Sequence, residues 1–383
     1  MRLLIAGGGT GGHIYPALAV ADSLRRRPSP PDLTWIGGHR GLEDRIVGGA
    51  RIPLRRLALR SLRTVDRDLH VILDPARLAL SVPQAAAMLA RDRPAAIFTT
   101  GGYVAIPVLL AAATLRIPVL LWEGNVIPGR SVRATARLAS AIAVSFATTC
   151  GALGGGRPCF ETGTPIRETR AVDRLAARER FVIPPGGRVL LVFGGSQAVR
   201  RFNAAVTEVL ARLVERIHVI HVTGEEGYAA ALAARERLSA DARGRYHPEP
   251  FLGDDMLAAL AAADLVLGRA GSSTLAEVTA LGLPMIVVPY PHAGGHQRAN
   301  ALRLVEAGAA RLIDDEAFDG PALLQAAAIL DDPATHATMA AASRGLGRPA
   351  AADAVATLLV ALAERRSLPD AATVERLARG SAG

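Results

Sequence analysis

"MRLLIAGGGTGGHIYPAL" (residues 1–18) decides how the chain begins to fold. Residues 2–6 form a short apolar run suited to a buried parallel strand, and a helical stretch, 14–26, follows. The glycines between them let the backbone come very close to something, and His13 follows the last of them. Gly7, Gly9 and Gly12 spell G-x-G-x-x-G, the pattern of a dinucleotide site. Such a site needs an acidic residue at the end of the second strand to hold the ribose. That strand ends "TWIGGHRG" (34–41) without one, and Glu43 and Asp44 come later, in a predicted helix. A nicotinamide cofactor is therefore disfavoured. Tight packing of turn against helix and close approach to another ligand remain.

The same unit repeats outward from this stretch. Apolar runs at 33–36, 95–99, 118–122 and 141–145 read as buried strands separated by helices such as 105–115. A Gly/Pro-rich zone, 151–167, then interrupts the pattern. "RVLLVFGGS" (188–196) restarts it with a second strand-and-glycine opening, followed by strands at 217–223, 264–268, 285–289 and 310–313. The expectation is α/β: two Rossmann-like domains facing a cleft, residues 1–166 plus 351–383 and residues 167–350. A helix is expected over 351–366, with "PDAATVERLARGSAG" as a loosely held tail.

Composition narrows the setting. The chain has 383 residues, half of them hydrophobic, and a formal net charge of +9. Every cation is arginine, scattered along the chain rather than gathered into a basic arm, which argues against nucleic acid. Cys150 and Cys159 suggest neither a disulfide framework nor a metal site, in keeping with a reducing compartment. The start reads as a strand rather than a signal peptide, and "VAIPVLLAAATLRIPVLLW" (104–122) is broken by Pro107, Arg116 and Pro118, so no membrane span is expected.

Three further stretches carry candidate chemistry. "FGGSQ" (193–197) puts Ser196 at a helix N-terminus, where free amides favour a phosphate or the serine is a simple cap. In "GRAGSSTLAEVTALGLP" (268–284), Thr274 and Glu277 have capping-box spacing; alternatively the helix start takes a diphosphate and Glu277 takes ribose hydroxyls. "PYPHAGGHQRAN" (289–300) offers the amides of Gln297 and Asn300 to sugar hydroxyls. His292 and His296 lack the cysteine or carboxylate partners of a zinc site, and Asp254 and Asp255 read as helix caps, so no metal is expected.

Taken in order, "GGTGGHIYPAL" (8–18), "GGYVAIP" (101–107), "NVIPG" (125–129), "GTPIR" (163–167), "GGSQ" (194–197), "RAGSSTLAE" (269–277) and "GLPMIVVPYPH" (282–292) resemble the MurG family. These bacterial transferases add N-acetylglucosamine to undecaprenyl-diphospho-N-acetylmuramoyl-pentapeptide, and the resemblance covers about residues 1–366. It implies the GT-B glycosyltransferase fold, with the last helix returning to the N-terminal domain. It implies UDP-N-acetylglucosamine at Ser196, Ser272, Ser273, Thr274, Leu275, Ala276 and Glu277, Leu252 beside the uracil, and His296 and Gln297 at the sugar. Asn125 and Arg167 would reach the donor; Thr10, Gly11, Gly12 and Tyr103 would lie near the acceptor and the transferred sugar. Three positions depart from the family: "WEGN" (122–125) where His-Glu-Gln-Asn is common, Ala198 in place of a glycine, and His296 where a Gln pair is usual.

The implied reaction is inverting and needs one base, His13 or else Glu123, with helix dipoles and loop amides taking the leaving diphosphate without metal or cofactor. A helix N-terminus should keep His13 neutral. The implied setting is the cytoplasmic face of the membrane, held peripherally to its anionic surface through "LRSLRTVDRDLHVILDPARLALSV" (59–82). The rivals are a related transferase with another lipid or small-molecule acceptor, an inactive nucleotide-sugar-binding scaffold, and a dehydrogenase.

Overall fold

The structure is a computed structural model describing residues 1–38, 43–59, 70–154, 156–169, 172–194 and 200–380, without the side chains of 43–45 and 70–76. It divides into two units, Met1–Glu168 with Arg348–Gly383, and Thr169–Gly347.

The first unit is a parallel sheet of seven strands: β1 (Arg2–Ala6), β2 (Asp32–Gly37), β3 (Leu54–Arg56), β4 (Ala96–Thr99), β5 (Val119–Glu123), β6 (Ala141–Val144) and β7 (Cys159–Glu161). Their order is β3-β2-β1-β4-β5-β6-β7, so the winding reverses between β1 and β4. Strands β1 and β4–β6 are buried on both faces, which explains their unbroken apolar sequence. One face packs against helices Gly11–Arg25 and Ala351–Ala363, around Leu3, Ile5, Trp35 and Phe98; the other packs against His70–Asp92 and Ala105–Leu115. Helix Ala351–Ala363 is fixed to the first helix by Ser23 Oγ donating to Asp353 (2.6 Å), and just past that helix's end Arg27 donates to Thr357 Oγ1 (2.7 Å).

The second unit has six parallel strands: β8 (Val189–Phe193), β9 (His218–Val222), β10 (Tyr246–Glu249), β11 (Leu265–Gly268), β12 (Met285–Val287) and β13 (Ala310–Leu312). Their order, β10-β9-β8-β11-β12-β13, reverses between β8 and β11. The doubly wound α/β expectation therefore holds in each half.

Two expectations are corrected here. Residues 371–379 are not a loose tail but a helix, Ala371–Arg379, capped by Asp370 accepting from Thr373 N at 2.7 Å. Its Val374 and Ala378, one turn apart, are buried in the first unit's core. Cys150 and Cys159 are joined as a disulfide, because helix Thr148–Leu153 and β7 bring their Cα atoms within 5.9 Å. The stretch Pro333–Ala363 is apolar and long enough to cross a membrane by composition, yet most of its most apolar 18-residue window is buried. It comprises two helices, Pro333–Leu346 and Ala351–Ala363, one in each unit.

Candidate functional site

Ligands of doubly wound sheets bind beyond the carboxyl ends of the strands, at the point where the winding reverses. In the first unit that point is flanked by the loop after β1, carrying Gly7–Thr10, and the loop after β4, carrying Gly101–Tyr103. His13 stands in the first turn of helix Gly11–Arg25, half-buried, with Nδ1 2.7 Å from the Thr100 carbonyl oxygen. Thr100 Oγ1 returns a bond to the His13 carbonyl at 2.9 Å, so the two loops clamp each other. Because a carbonyl only accepts, Nδ1 carries the hydrogen and Nε2 is the basic nitrogen. Gly101 and Gly102 both have positive φ (83° and 77°), and a Cβ on Gly102 would lie 3.7 Å from the imidazole; the glycines let this loop pass the ring closely. Tyr103 folds back over the same region, its ring 3.1 Å from where a Gly9 Cβ would be. Thr10 and Gly12 are exposed at the helix start and Gly11 is half-buried.

Glu123 closes β5 and is 5% exposed. Oε1 accepts from the backbone N–H and the side-chain amide of Asn125, both at 2.9 Å, and Oε2 accepts from Gly129 N at 2.9 Å. Both carboxylate oxygens thus face loop donors. Through these bonds Glu123 holds the 124–129 loop and Asn125. Thr149 Oγ1 supports the same loop through the Asn125 carbonyl at 3.0 Å. Arg167 is exposed and belongs to the first unit.

In the second unit the donor candidates collect at the carboxyl edge. Helix Ser272–Ala280 follows β11, with Gly271 as N-cap and no side-chain cap bond. The helix starts at Ser272, so Thr274 is already inside it and the capping-box reading fails. Ser272, Ser273 and Thr274 lie in the first turn, whose amides have no acceptor within the helix. Ser273 Oγ is buried and has no hydrogen-bond partner among the described residues. Leu275 is buried against the sheet, and Ala276 and Glu277 are half-buried one turn further on. Leu252, buried, follows β10 at the same edge. Gln297 Oε1 accepts from Ala270 N (3.2 Å) and Tyr290 N (2.9 Å), leaving its NH2 as the group to offer a ligand. His296 opens helix His296–Glu306 beside it. Asn300 is fully buried and donates to the Ala270 carbonyl, so its amide serves the core rather than a sugar. Ser196 and Ala198 lie outside the described residues.

Two features correct or extend the sequence reading. Asp255 precedes helix Met256–Ala262 but makes no cap bond, and its carboxylate pairs with Arg180. Arg269, not singled out from the sequence, ties the ends of β11 and β12 together. It is buried, pairs with Asp315 at 2.5 Å, donates to the Val288 carbonyl and lies 4.6 Å over the Phe202 ring. An arginine at a strand end before Gly-Ser-Ser was its one sequence signal.

Residues 3–144 match the glycosyltransferase family 28 N-terminal domain and residues 189–356 the glycosyltransferase family 28 C-terminal domain. A protein of Desulforudis audaxviator is 41% identical over 372 residues, covering 95% of this chain and 99% of its own length. It is named UDP-N-acetylglucosamine–N-acetylmuramyl-(pentapeptide) pyrophosphoryl-undecaprenol N-acetylglucosamine transferase. The chain belongs to the MurG family. A Desulforamulus reducens protein of the same name is 38% identical, covering 92% of this chain and 96% of its own. The crystal structure of MurG from Acinetobacter baumannii superposes with a TM-score of 0.76 at 27% identity, covering 94% and 99% of the two chains. MurG membership makes the chain a glycosyltransferase of the GT-B fold and removes the dehydrogenase and the inactive scaffold.

Proposed function

We propose that the chain transfers N-acetylglucosamine from UDP-α-N-acetylglucosamine to the C4 hydroxyl of undecaprenyl-diphospho-N-acetylmuramoyl-pentapeptide, giving a β-(1→4) linkage and UDP. The observation that carries the donor half is the start of helix Ser272–Ala280. It is uncapped by any side chain, sits where the winding reverses, and holds the buried, unpartnered Ser273 hydroxyl. First-turn amides and the helix dipole suit a diphosphate. Glu277, one turn on, suits the vicinal ribose hydroxyls, and the Gln297 NH2 suits the sugar. Ser196, Leu252, Thr274, Leu275, Ala276, His296, Asn125 and Arg167 complete the donor set; Thr10, Gly11, Gly12 and Tyr103 serve the acceptor and the transferred sugar.

His13 Nε2 takes the proton from the acceptor hydroxyl as that oxygen attacks C1 from the face opposite the diphosphate. The C1–O bond to UDP breaks, and the departing negative charge is taken by the helix amides. Glu123 positions Asn125 and takes no proton. The acceptor's lipid supports a peripheral location on the cytoplasmic face of an anionic membrane. Helix His70–Asp92 adds Leu80, 67% exposed, with Arg77 on the same helix, whereas Leu59 and Leu78 pack into the first unit's core; residues 60–76 of that candidate surface lie outside the described side chains.

The test supplies purified protein with labelled UDP-N-acetylglucosamine and either a synthetic muramoyl-diphospholipid or diacylglycerol. Label should pass to the muramoyl lipid alone. Transfer to diacylglycerol alone would overturn the acceptor assignment.

A further inference from the structure

The second sheet has another edge, where its strands begin, and the mechanism uses nothing there. A cavity of about 540 Å³ opens at that edge, lined by Arg188, Arg216, Arg245, His218 and Asp331. The parallel register brings these residues together. Val189 is level with His218 and Tyr246 with Val219, so the residues just before β8 and β10 flank the first residue of β9. The turn before β8 forms a wall: Gly187 N donates to the Pro184 carbonyl at 2.9 Å, and a Cβ on Gly187 would stand 3.1 Å from the His218 ring.

Charge in the cavity is unbalanced. Arg188 and Arg216 share a single carboxylate, Asp331. Arg245 is braced against the Val214 and Glu215 carbonyls and, among the described residues, pairs with Asp241, which is 81% exposed. Three guanidinium groups therefore face one lining carboxylate. His218 adds no charge of its own at neutral pH. It is buried and stacked on His247, with Nδ1 3.2 Å from His247 Nε2, and burial, Arg245 and Arg178 all lower its pKa. A guanidinium fork matches phosphate oxygens in pairs, so a dianion can satisfy the arginines that Asp331 serves alone.

We propose that this cavity is a second anion site, at the strand-start edge of the second unit, taking a phosphate-bearing ligand with at least two negative charges. It lies at the opposite end of the strands from Ser272–Glu277 and Gln297. Asp331 occupies the arginines when the ligand is absent and competes with it.

The test is calorimetric titration of inorganic pyrophosphate into the protein already saturated with UDP, at constant ionic strength. UDP's own binding heat reports separately on the donor site. The expected result is one saturable pyrophosphate site. Arg216→Ala, whose side chain is 72% exposed and so dispensable for folding, should weaken it by roughly tenfold. Asp331→Asn should tighten it severalfold, since it removes the competing charge and keeps the shape. Vesicles containing phosphatidylglycerol then sort the source: displacement of pyrophosphate identifies a lipid headgroup, and retention identifies a soluble phosphate compound. No saturable heat in the UDP-saturated protein, or equal affinity in all three proteins, would overturn the proposal.

Discussion

A histidine accepts a proton only at the nitrogen that carries no hydrogen, so the Thr100 carbonyl 2.7 Å from Nδ1 decides which side of His13 is basic. Replacing His13 by Gln keeps hydrogen bonding and removes basicity. His13→Gln should lower kcat by about a hundredfold, within the usual range for a general base, while the donor KM stays near wild type. Steady-state kinetics decide this, and a Gln variant with most of its kcat would make His13 a positioning residue. Glu123 calls for a different measurement, because the positioning role proposed for it rests on its three bonds to the 124–129 loop. In Glu123→Gln one of the carboxylate's acceptors becomes an NH2 facing an N–H donor. Activity should fall through a raised donor KM, since Asn125 loses its support, while the acid limb of the pH–rate profile remains. Loss of that limb would make Glu123 the base after all. The sequence showed both residues but not their division of labour, since the amides of Asn125 and Gly129 that occupy Glu123 come from the loop's fold. Asn300 misled for the same reason: its amide chemistry was visible, its inward orientation was not.

At the scale of elements, the start of helix Ser272–Ala280 separates binding from stability. A capping box at Thr274 and Glu277 would contribute about 1 kcal/mol to folding, but the helix begins two residues before Thr274 and uses no side-chain cap. Glu277→Ala should therefore leave the melting temperature nearly unchanged. It should raise the donor KM by at least about tenfold, because a hydrogen bond to a charged group is worth about 1.5–3 kcal/mol. A lower melting temperature with an unchanged donor KM would return Glu277 to a structural role. The buried strands were legible as apolar runs. Strands β3, β7 and β10 were not, because each is an edge strand, with the polar sequences LRR, CFE and YHPE. The helix Ala371–Arg379 escaped notice because it is short and mostly exposed, and only Val374 and Ala378 are buried.

Over the whole molecule, the second unit carries an acid-sensitive core. His221 is fully buried, bonded to Tyr246 OH and Asn203, and burial lowers its pKa to about 3; burial and the neighbouring His218 and Arg235 lower that of His247 to about 4. Above the ordinary value of 6.5 both are neutral in the folded and unfolded chain alike. As pH falls below 6.5 the unfolded chain binds protons that the folded chain refuses, so stability present above 6.5 is lost toward the folded values. Between pH 6.5 and 5 the loss should be about 2 kcal/mol per histidine. The melting temperature should drop over that window, and His221→Gln should flatten the slope; a pH-independent melting temperature would contradict the burial argument. The two-unit, doubly wound plan was legible because the strand-and-glycine opening occurs twice. The Cys150–Cys159 bond was not, because nothing in a nine-residue spacing shows that β7 returns beside helix Thr148–Leu153. The central claim is inverting transfer to a muramoyl lipid, and its most direct test is the NMR spectrum of the product made from UDP-α-N-acetylglucosamine and a synthetic muramoyl-diphospholipid. The product should carry N-acetylglucosamine β-linked to C4 of the muramoyl sugar, in amounts that fall with His13→Gln; an α linkage, or release of free sugar in place of the disaccharide, would rule out inverting transfer to this acceptor.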